Sequence, residues 1–406
     1  MHLLRVIHSM KTSGGGPAES VRQFSRQLET MNVSTEVVTL DAPSAEFTKC
    51  EPGIERIWCL GPGRGSYGYS AELAPWIIRE AGRFDAVIIQ GLWNYHSFAT
   101  WRALRRLRQT GRRCPPYWVY THGMLDPWFK SAFPLKHLKK ALYWRVVEQR
   151  VLRDAEGVLF TADEERLLAR NVFRPYQCNE IVVAHGIEAP FGQFASQRDT
   201  FLNRWPALRA KRILLFLGRL HPKKGPELVI EGFTQALAIL PQNKRTEWAL
   251  VMAGPVAGTD VNLGYVKSLE SLAHVHLGEV GLGADSVLFT GPLQGDMKWG
   301  AFHGCEAFIL PSHQENFGIA VVEALACGKP VLISNKVNIW REIEQDGAAM
   351  VEDDSLEGAR SLIRRWMALS DSERATMGRN ARRCFEERFE IAAAAELLAE
   401  TLTEKS

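Results

Sequence analysis

Short apolar runs alternate with stretches of helical character, and this happens twice along the chain. That double alternation limits the possible folds more than any other feature. The first series has apolar runs at 3–7, 35–40, 86–89, 118–120, 158–160 and 181–183, with helix-like stretches such as 18–31 and 135–153 between them. The runs lack the strict alternation of a strand with one wet face, so they read as parallel strands covered on both sides. Residues 188–209 break the pattern with Pro190, Gly192, Pro206 and polar neighbours, and read as a connector. The alternation restarts at 213–217 and continues at 248–252, 287–289, 307–310 and 330–333, with a helix at 227–240. This predicts an α/β chain of two doubly wound, Rossmann-like domains, at 1–190 and 205–385. The closing segment, 372–403, reads as helical with one charged face and could pack on either domain, with its end, about 386–406, a candidate to return to the N-terminal one. A length of 406 residues is enough for two cores.

Several classes drop out on composition. No run approaches the ~18 apolar residues of a membrane span, and the opening MHLLRVIHSM is too short and polar for a signal peptide. A cytoplasmic chain is expected, tied to the inner face of a membrane at most. The seven cysteines are scattered, with no CxxC spacing, which argues against a disulfide framework or a zinc site. The net charge of +3 hides an asymmetry. Residues 100–153 hold thirteen Lys and Arg against two acids, and the rest of the chain is net acidic. Within that region, 128–145 mixes Lys and Arg with Trp, Phe and Tyr. Such a segment suits an anionic membrane surface, and equally suits a helix packed on its own sheet with a solvated charged face. No nucleic-acid motif accompanies it.

Ligands of open α/β sheets bind beyond the carboxyl ends of the strands, so the residues just after each strand carry the chemistry. After the first run comes SGGGPAES at 13–20, where Gly15 and Gly16 let backbone approach a ligand and Pro17 suits a first helical turn. A tight strand-to-helix turn would use the same residues. The motif is not GxGxxG, which argues against a dinucleotide site, although Asp41 ends the second strand where a ribose-binding acid would sit. The second domain opens with FLGRLHPKKGPEL at 216–228. There Arg219 and Lys224 stand at the mouth of a strand, suited to a diphosphate, while Lys223 reads as a solvated neighbour.

The stretch SHQENFGIAVVEALACGKPVLIS, at 312–334, sets Glu315 before a buried helix and Glu323 about two turns inside it. Burying Glu323 without partners would cost several kcal/mol. Two carboxylates on the order of 10 Å apart, with the amides of Phe317, Gly318 and Ile319 between them, make a ruler for a nucleotide sugar. The alternative is internal pairing of Glu323 with a cation and simple helix capping by Glu315.

Glu315–x7–Glu323 with Phe317-Gly318, then EALACGKPV, resembles family 4 of the retaining glycosyltransferases, of group 1 type and GT-B fold. GRLHPKKG, SGGGPAES, THGMLDPW at 121–128 and FTGPL at 289–293 are similar to it too, so the likeness spans nearly the whole chain. The resemblance implies two domains facing across a cleft and transfer of a sugar from a nucleotide-diphosphate sugar to a saccharide or lipid-linked acceptor, as in surface polysaccharide or glycolipid synthesis. It implies that Arg219 and Lys224 hold the diphosphate, with Asn316, Phe317, Gly318 and Ile319 alongside. Glu323 would hold the ribose, Glu315 the sugar near the reacting centre, Gly15 and Gly16 the phosphate or acceptor border, and His122 the sugar from the other domain. Glu315 and His122 are the candidates for catalysis. No cofactor beyond the sugar nucleotide is implied, and no metal, since the chain has no DxD; Glu352-Asp353-Asp354 reads as a solvated acidic loop. One departure is His185-Gly186, where the family often has Asn-Gly. A nucleotide-sugar epimerase or a phosphorylase of the same fold, and a non-catalytic nucleotide-binding protein, are the competing readings.

Overall fold

The computed structural model describes residues 1–11, 16–45, 51–128, 130, 134–255 and 260–404, with only the backbone at 260–263. The chain divides into two compact units, 1–188 with 388–406, and 189–387.

The first unit has a parallel sheet of seven strands. They are β1 (His2–Ile7), β2 (Ser34–Thr39), β3 (Arg56–Cys59), β4 (Ala86–Gln90), β5 (Tyr117–Tyr120), β6 (Gly157–Phe160) and β7 (Glu180–Val182). Their order across the sheet is β3-β2-β1-β4-β5-β6-β7, so the winding reverses between β1 and β4. Alternate residues of β1 serve opposite faces. Leu4 and Val6 join a core with Trp76, Leu104 and Trp144, while Leu3 packs with Phe24, Ile391, Ala395 and Leu398. The second set belongs to the last helix, Ile391–Thr403, which buries one face against this sheet. Burying residues such as Leu398 and Leu402 contributes about 1.5–3 kcal/mol each.

The second unit repeats the plan with β8 (Arg212–Leu217), β9 (Trp248–Ala253), β10 (Val287–Gly291), β11 (Ala307–Leu310), β12 (Val331–Ser334) and β13 (Ala349–Glu352). Their order is β10-β9-β8-β11-β12-β13, all parallel, with the winding reversing between β8 and β11.

Four features differ from the sequence reading. β3 and β13 went unassigned. β3 is a partly exposed edge strand, and β13 is a four-residue strand running straight into acidic residues, so neither shows a sustained apolar run. The expected connector contains a helix, Phe194–Arg204, whose Gln197 donates to Asp296 at 3.0 Å. The closing helix is two helices, Asp371–Arg388 and Ile391–Thr403, and at their junction Ile391 donates to Ile187 O at 3.0 Å. The helix over 135–153 runs as Pro134–Tyr143, a π-turn at Trp144–Glu148, and Gln149–Arg153. No helix among the described residues is long and apolar enough to cross a membrane.

Candidate active site

The second unit gathers most of the sequence candidates at the carboxyl ends of β8 and β11, where its winding reverses. After β8 the chain passes exposed Arg219 and makes a 3-10 turn, Pro222–Lys224, in which His221 Nδ1 accepts from Lys223 N at 3.1 Å. Gly225 follows at φ 65°, and a Cβ there would stand 2.6 Å from Pro311 O. Only glycine lets this turn lie against the segment after β11. That segment is tied to it twice more, because His313 N donates to Lys223 O at 2.8 Å and Ser312 Oγ to the same carbonyl at 3.0 Å. Lys223, read from sequence as a solvated bystander, therefore supplies the carbonyl that joins the two loops.

This stitching brings the Lys224 ammonium into contact with the Glu315 carboxylate. Glu315 is itself fixed by its backbone, donating to Lys336 O at 2.9 Å and accepting from Asn338 N at 3.0 Å. Asn338 Nδ2 also donates to Asn316 Oδ1 at 3.3 Å, and Phe317 is buried. The helix then starts at Ile319, because Gly318 takes φ 75° and caps it without a side chain. The first amides of such a helix have no partner inside it, and with the helix dipole they make an anion-binding end.

Two basic groups here are held below their usual range. Burial, followed by the cations Lys223 and Arg219, brings the Lys224 ammonium down to about 7. The touching Glu315 carboxylate works against that shift. Burial and then Arg219 also lower the His221 imidazole.

Glu323 lies inside the helix Ile319–Ala326 and is ion-paired. Its Oε1 accepts from Lys298 Nζ at 2.7 Å, and the same ammonium sits 4.1 Å from the centre of the Trp299 ring. Sequence reasoning missed Lys298, although it lies just past FTGPL, on the helix Gly295–Gly304 that follows β10. A buried acid on one element predicts a cation on a neighbour, and that was the available signal. The acidic loop beyond β13 is less solvated than expected. Glu352 accepts from Arg365 at 2.8 Å, Asp353 from Asn335 at 2.6 Å, and Asp354 pairs with His313 at 2.8 Å.

In the first unit, Gly16 begins the helix Gly16–Thr30 after β1, and Gly15 lies outside the described residues. Asp41 accepts from Ser9 Oγ at 2.7 Å, Met10 N at 2.8 Å and Thr39 Oγ1 at 2.6 Å, so it organises the turn after β1. His122, just past β5, holds φ 49°, a left-handed conformation costly for a side chain. Its ring shares a cluster with those of Tyr120 and His185, whose centroids lie 5.3 and 5.2 Å from its own and 5.6 Å from each other. A hydrogen-bond chain runs Ser20 Oγ to His185 Nδ1 (2.9 Å), His185 Nε2 to His122 Nδ1 (3.2 Å), and His122 Nε2 to Gln90 Oε1 (2.7 Å). Burial, then the adjacent Arg5, pushes His185 down to about 4, and burial with His185 beside it pushes His122 down as well. Both rings are therefore neutral near pH 7, and contact of the His122 ring nitrogens with a ligand would displace an internal partner. His185, which the sequence left without a chemical role, is the residue that orients His122. Its departure from Asn-Gly was the one sign of it.

Comparison with known proteins follows the same division. The family described as glycosyl transferases group 1 matches residues 197–384, and the glycosyl transferase 4-like domain matches residues 15–185. D-inositol 3-phosphate glycosyltransferase of Corynebacterium jeikeium is 25% identical over 383 residues, covering 90% of this chain and 86% of that one. The protein of the same name from Geodermatophilus obscurus is 30% identical over 210 residues, covering 50% of this chain and 43% of that one. In Acidothermus cellulolyticus the match to the protein of that name spans 30% of the relative. Among solved structures, Anabaena HepE in complex with UDP superposes with a TM-score of 0.75 at 19% identity, covering 100% of both chains.

Proposed function

The chain belongs to the group 1, family 4 glycosyltransferases of GT-B fold, and from that membership we propose that it moves a sugar, with retained anomeric configuration, from a nucleotide-diphosphate donor to a saccharide or lipid-linked acceptor. One observation carries the reading. Two lysine–glutamate pairs, Lys224–Glu315 and Lys298–Glu323, are attached one before and one within the helix that starts at the sheet's switch point. UDP bound to the similar HepE supports a nucleotide ligand, and UDP is the first probe to use.

Each residue then has a task. Arg219, Lys224 and the first amides of the helix Ile319–Ala326 take the diphosphate, with Asn316, Phe317 and Gly318 shaping the approach. Glu323 accepts from the ribose hydroxyls and gives up part of its hold on Lys298. Glu315, released from Lys224 as that ammonium turns to the phosphate, accepts from the sugar hydroxyls. In the transfer step the bond from the anomeric carbon to the diphosphate oxygen breaks, and its electron pair stays on the diphosphate. The acceptor oxygen bonds to the same carbon on the face the diphosphate leaves, and its proton passes to a phosphate oxygen. Preorganised cations and amides meet the developing charge, the contribution that lowers such barriers most. By resemblance to the family, His122 would stand by the sugar, and Gly15 and Gly16 by the phosphate or acceptor. Synthesis of a surface polysaccharide or glycolipid is the setting that fits such an acceptor.

The test is a thermal-shift screen over nucleoside diphosphates and their sugars, followed by transfer and donor-hydrolysis assays. Glu315→Ala and Lys224→Ala should each lose activity while keeping the fold. Full activity in both would remove the assignment. Conversion of a sugar nucleotide into its epimer, with no acceptor present, would replace transfer by epimerisation.

A further inference from the structure

The basic segment of the first unit carries a feature that sugar transfer does not use. On the helix Pro134–Tyr143, Leu135, Leu138 and Leu142 are 85%, 71% and 70% exposed, and Val146, in the π-turn that follows, is 56% exposed. Spacings of three, four and four residues put all four on one side. The opposite side anchors the segment. Trp144, Val147 and Glu148 are buried, His137 stacks on Phe173 at 4.7 Å, and Lys140 lies over Trp93 at 4.4 Å. The leucines are thus not spare core residues of a loosely packed helix.

Charge says what would cover them. Lys136, Lys139 and Arg145 are exposed and flank the apolar stripe at helical spacing, Lys139 and Lys136 to one side and Arg145 to the other. No acidic residue occurs between Asp126 and Glu148, and Glu148 is buried. Lysine and arginine can lay their methylene stems along an apolar surface while the charges reach for anions above it. Two of the aromatic residues in this stretch turn away from this face. Trp144 is in the core and Tyr143 shares a 2.5 Å hydrogen bond with Tyr67, while Phe129 and Phe133 lie outside the described residues.

We propose that Leu135, Leu138, Leu142 and Val146 enter the acyl boundary of an anionic lipid bilayer, with Lys136, Lys139 and Arg145 on its headgroups, so that the first unit docks peripherally on a membrane. A helix lying in the interface gains from apolar burial and from attraction to anionic lipid together, and this segment supplies both.

Vesicle sedimentation of the full chain tests this without any substrate, so it is independent of the glycosyl-transfer reading. The native protein should pellet with phosphatidylglycerol-containing vesicles more than with pure phosphatidylcholine, and less as salt rises. Leu138→Glu with Leu142→Glu should cut the partition coefficient at least about tenfold. Lys136→Glu with Lys139→Glu should abolish the preference for anionic lipid. Both pairs point outward, so melting temperatures should stay at the native value, and UDP binding provides a second check of folding. Native protein that binds neither vesicle, or a leucine variant that binds as well as native, overturns the proposal. So does a native dimer that becomes monomeric in the leucine variant without any lipid binding, because a second copy would then cover the face.

Discussion

Lys224 offers a quantitative test of the donor site, because its proton should follow the ligand. Burial and the neighbouring Lys223 and Arg219 bring its ammonium down to about 7. At pH 8 a group of that pKa is only about one-tenth protonated. A diphosphate arriving beside it adds negative charge and favours the ammonium, so binding should draw in about 0.9 proton per nucleotide at pH 8. The terminal phosphate of UDP, with its ionisation near 6, is already deprotonated there and adds nothing. Calorimetry of UDP binding in two buffers of different ionisation enthalpy counts the protons directly. Lys224→Met should abolish the uptake and weaken UDP by about tenfold to a hundredfold, the worth of one hydrogen bond to a charged group. Uptake near zero in the native protein would mean that Glu315 already keeps Lys224 charged, and the argued field would be wrong. Equal uptake in the variant would place the proton elsewhere, His221 being the next group to examine.

Three further outcomes follow from the same geometry. Burial holds the Glu148 carboxyl up at about 7, although Trp93 N and Ser97 Oγ donate to it at 2.6 and 3.0 Å. Its folded pKa is raised, so its contribution is complete below about 4.5 and is lost as pH rises to about 7, on the order of 3 kcal/mol. Glu148→Gln should therefore raise the melting temperature at pH 8 by several degrees and flatten that slope, and an unchanged melting temperature would absolve the carboxylate. His96 has the opposite sign. Burial holds it down at about 4, so the folded state resists the proton and stability is lost as pH falls from about 6.5 to 4. Urea titrations of His96→Gln should show a shallower acid loss than native. Gly225→Ala places a Cβ against Pro311 O at a left-handed φ, and should cost about 1–3 kcal/mol in urea unfolding while also weakening UDP. An unaffected UDP affinity would show that this turn does not position Lys224.

The legible part of the fold was the part buried on both faces. The strands at the centre of each sheet read as apolar runs because helices cover them on both sides, and β4 does so with Ala86, Val87, Ile88 and Ile89. β3 and β13 were lost because each is a half-wet edge strand bounded by charged residues, so neither writes a period into the sequence. The π-turn at Trp144–Glu148 could not be read either. A π-turn leaves composition unchanged, and it shows only in which side chains reach the core.

The residues of the proposed donor site stood out for a different reason, which is chemical economy. An acid inside an apolar helix is expensive unless something holds it, so Glu323 announced a partner even though the sequence could not say which. The structure supplies Lys298 from a neighbouring helix, and gives Glu315 the same arrangement with Lys224. Internal pairing and ligand binding, opposed when only the sequence was in view, are thus compatible. A carboxylate that must later accept from hydroxyls, and a lysine that must later meet phosphate, can satisfy one another until the ligand separates them. The pairs then set a cost on every ligand, since breaking a largely buried pair leaves two charges to be compensated. A nucleotide sugar compensates both at once, with phosphate for the lysine and hydroxyls for the glutamate, whereas a bare phosphate compensates only one. Affinity for UDP-sugars should therefore exceed that for inorganic pyrophosphate by more than the added contact area suggests, and Glu315→Gln should narrow the gap. A gap unchanged by Glu315→Gln would show that the Lys224–Glu315 pair is structural alone.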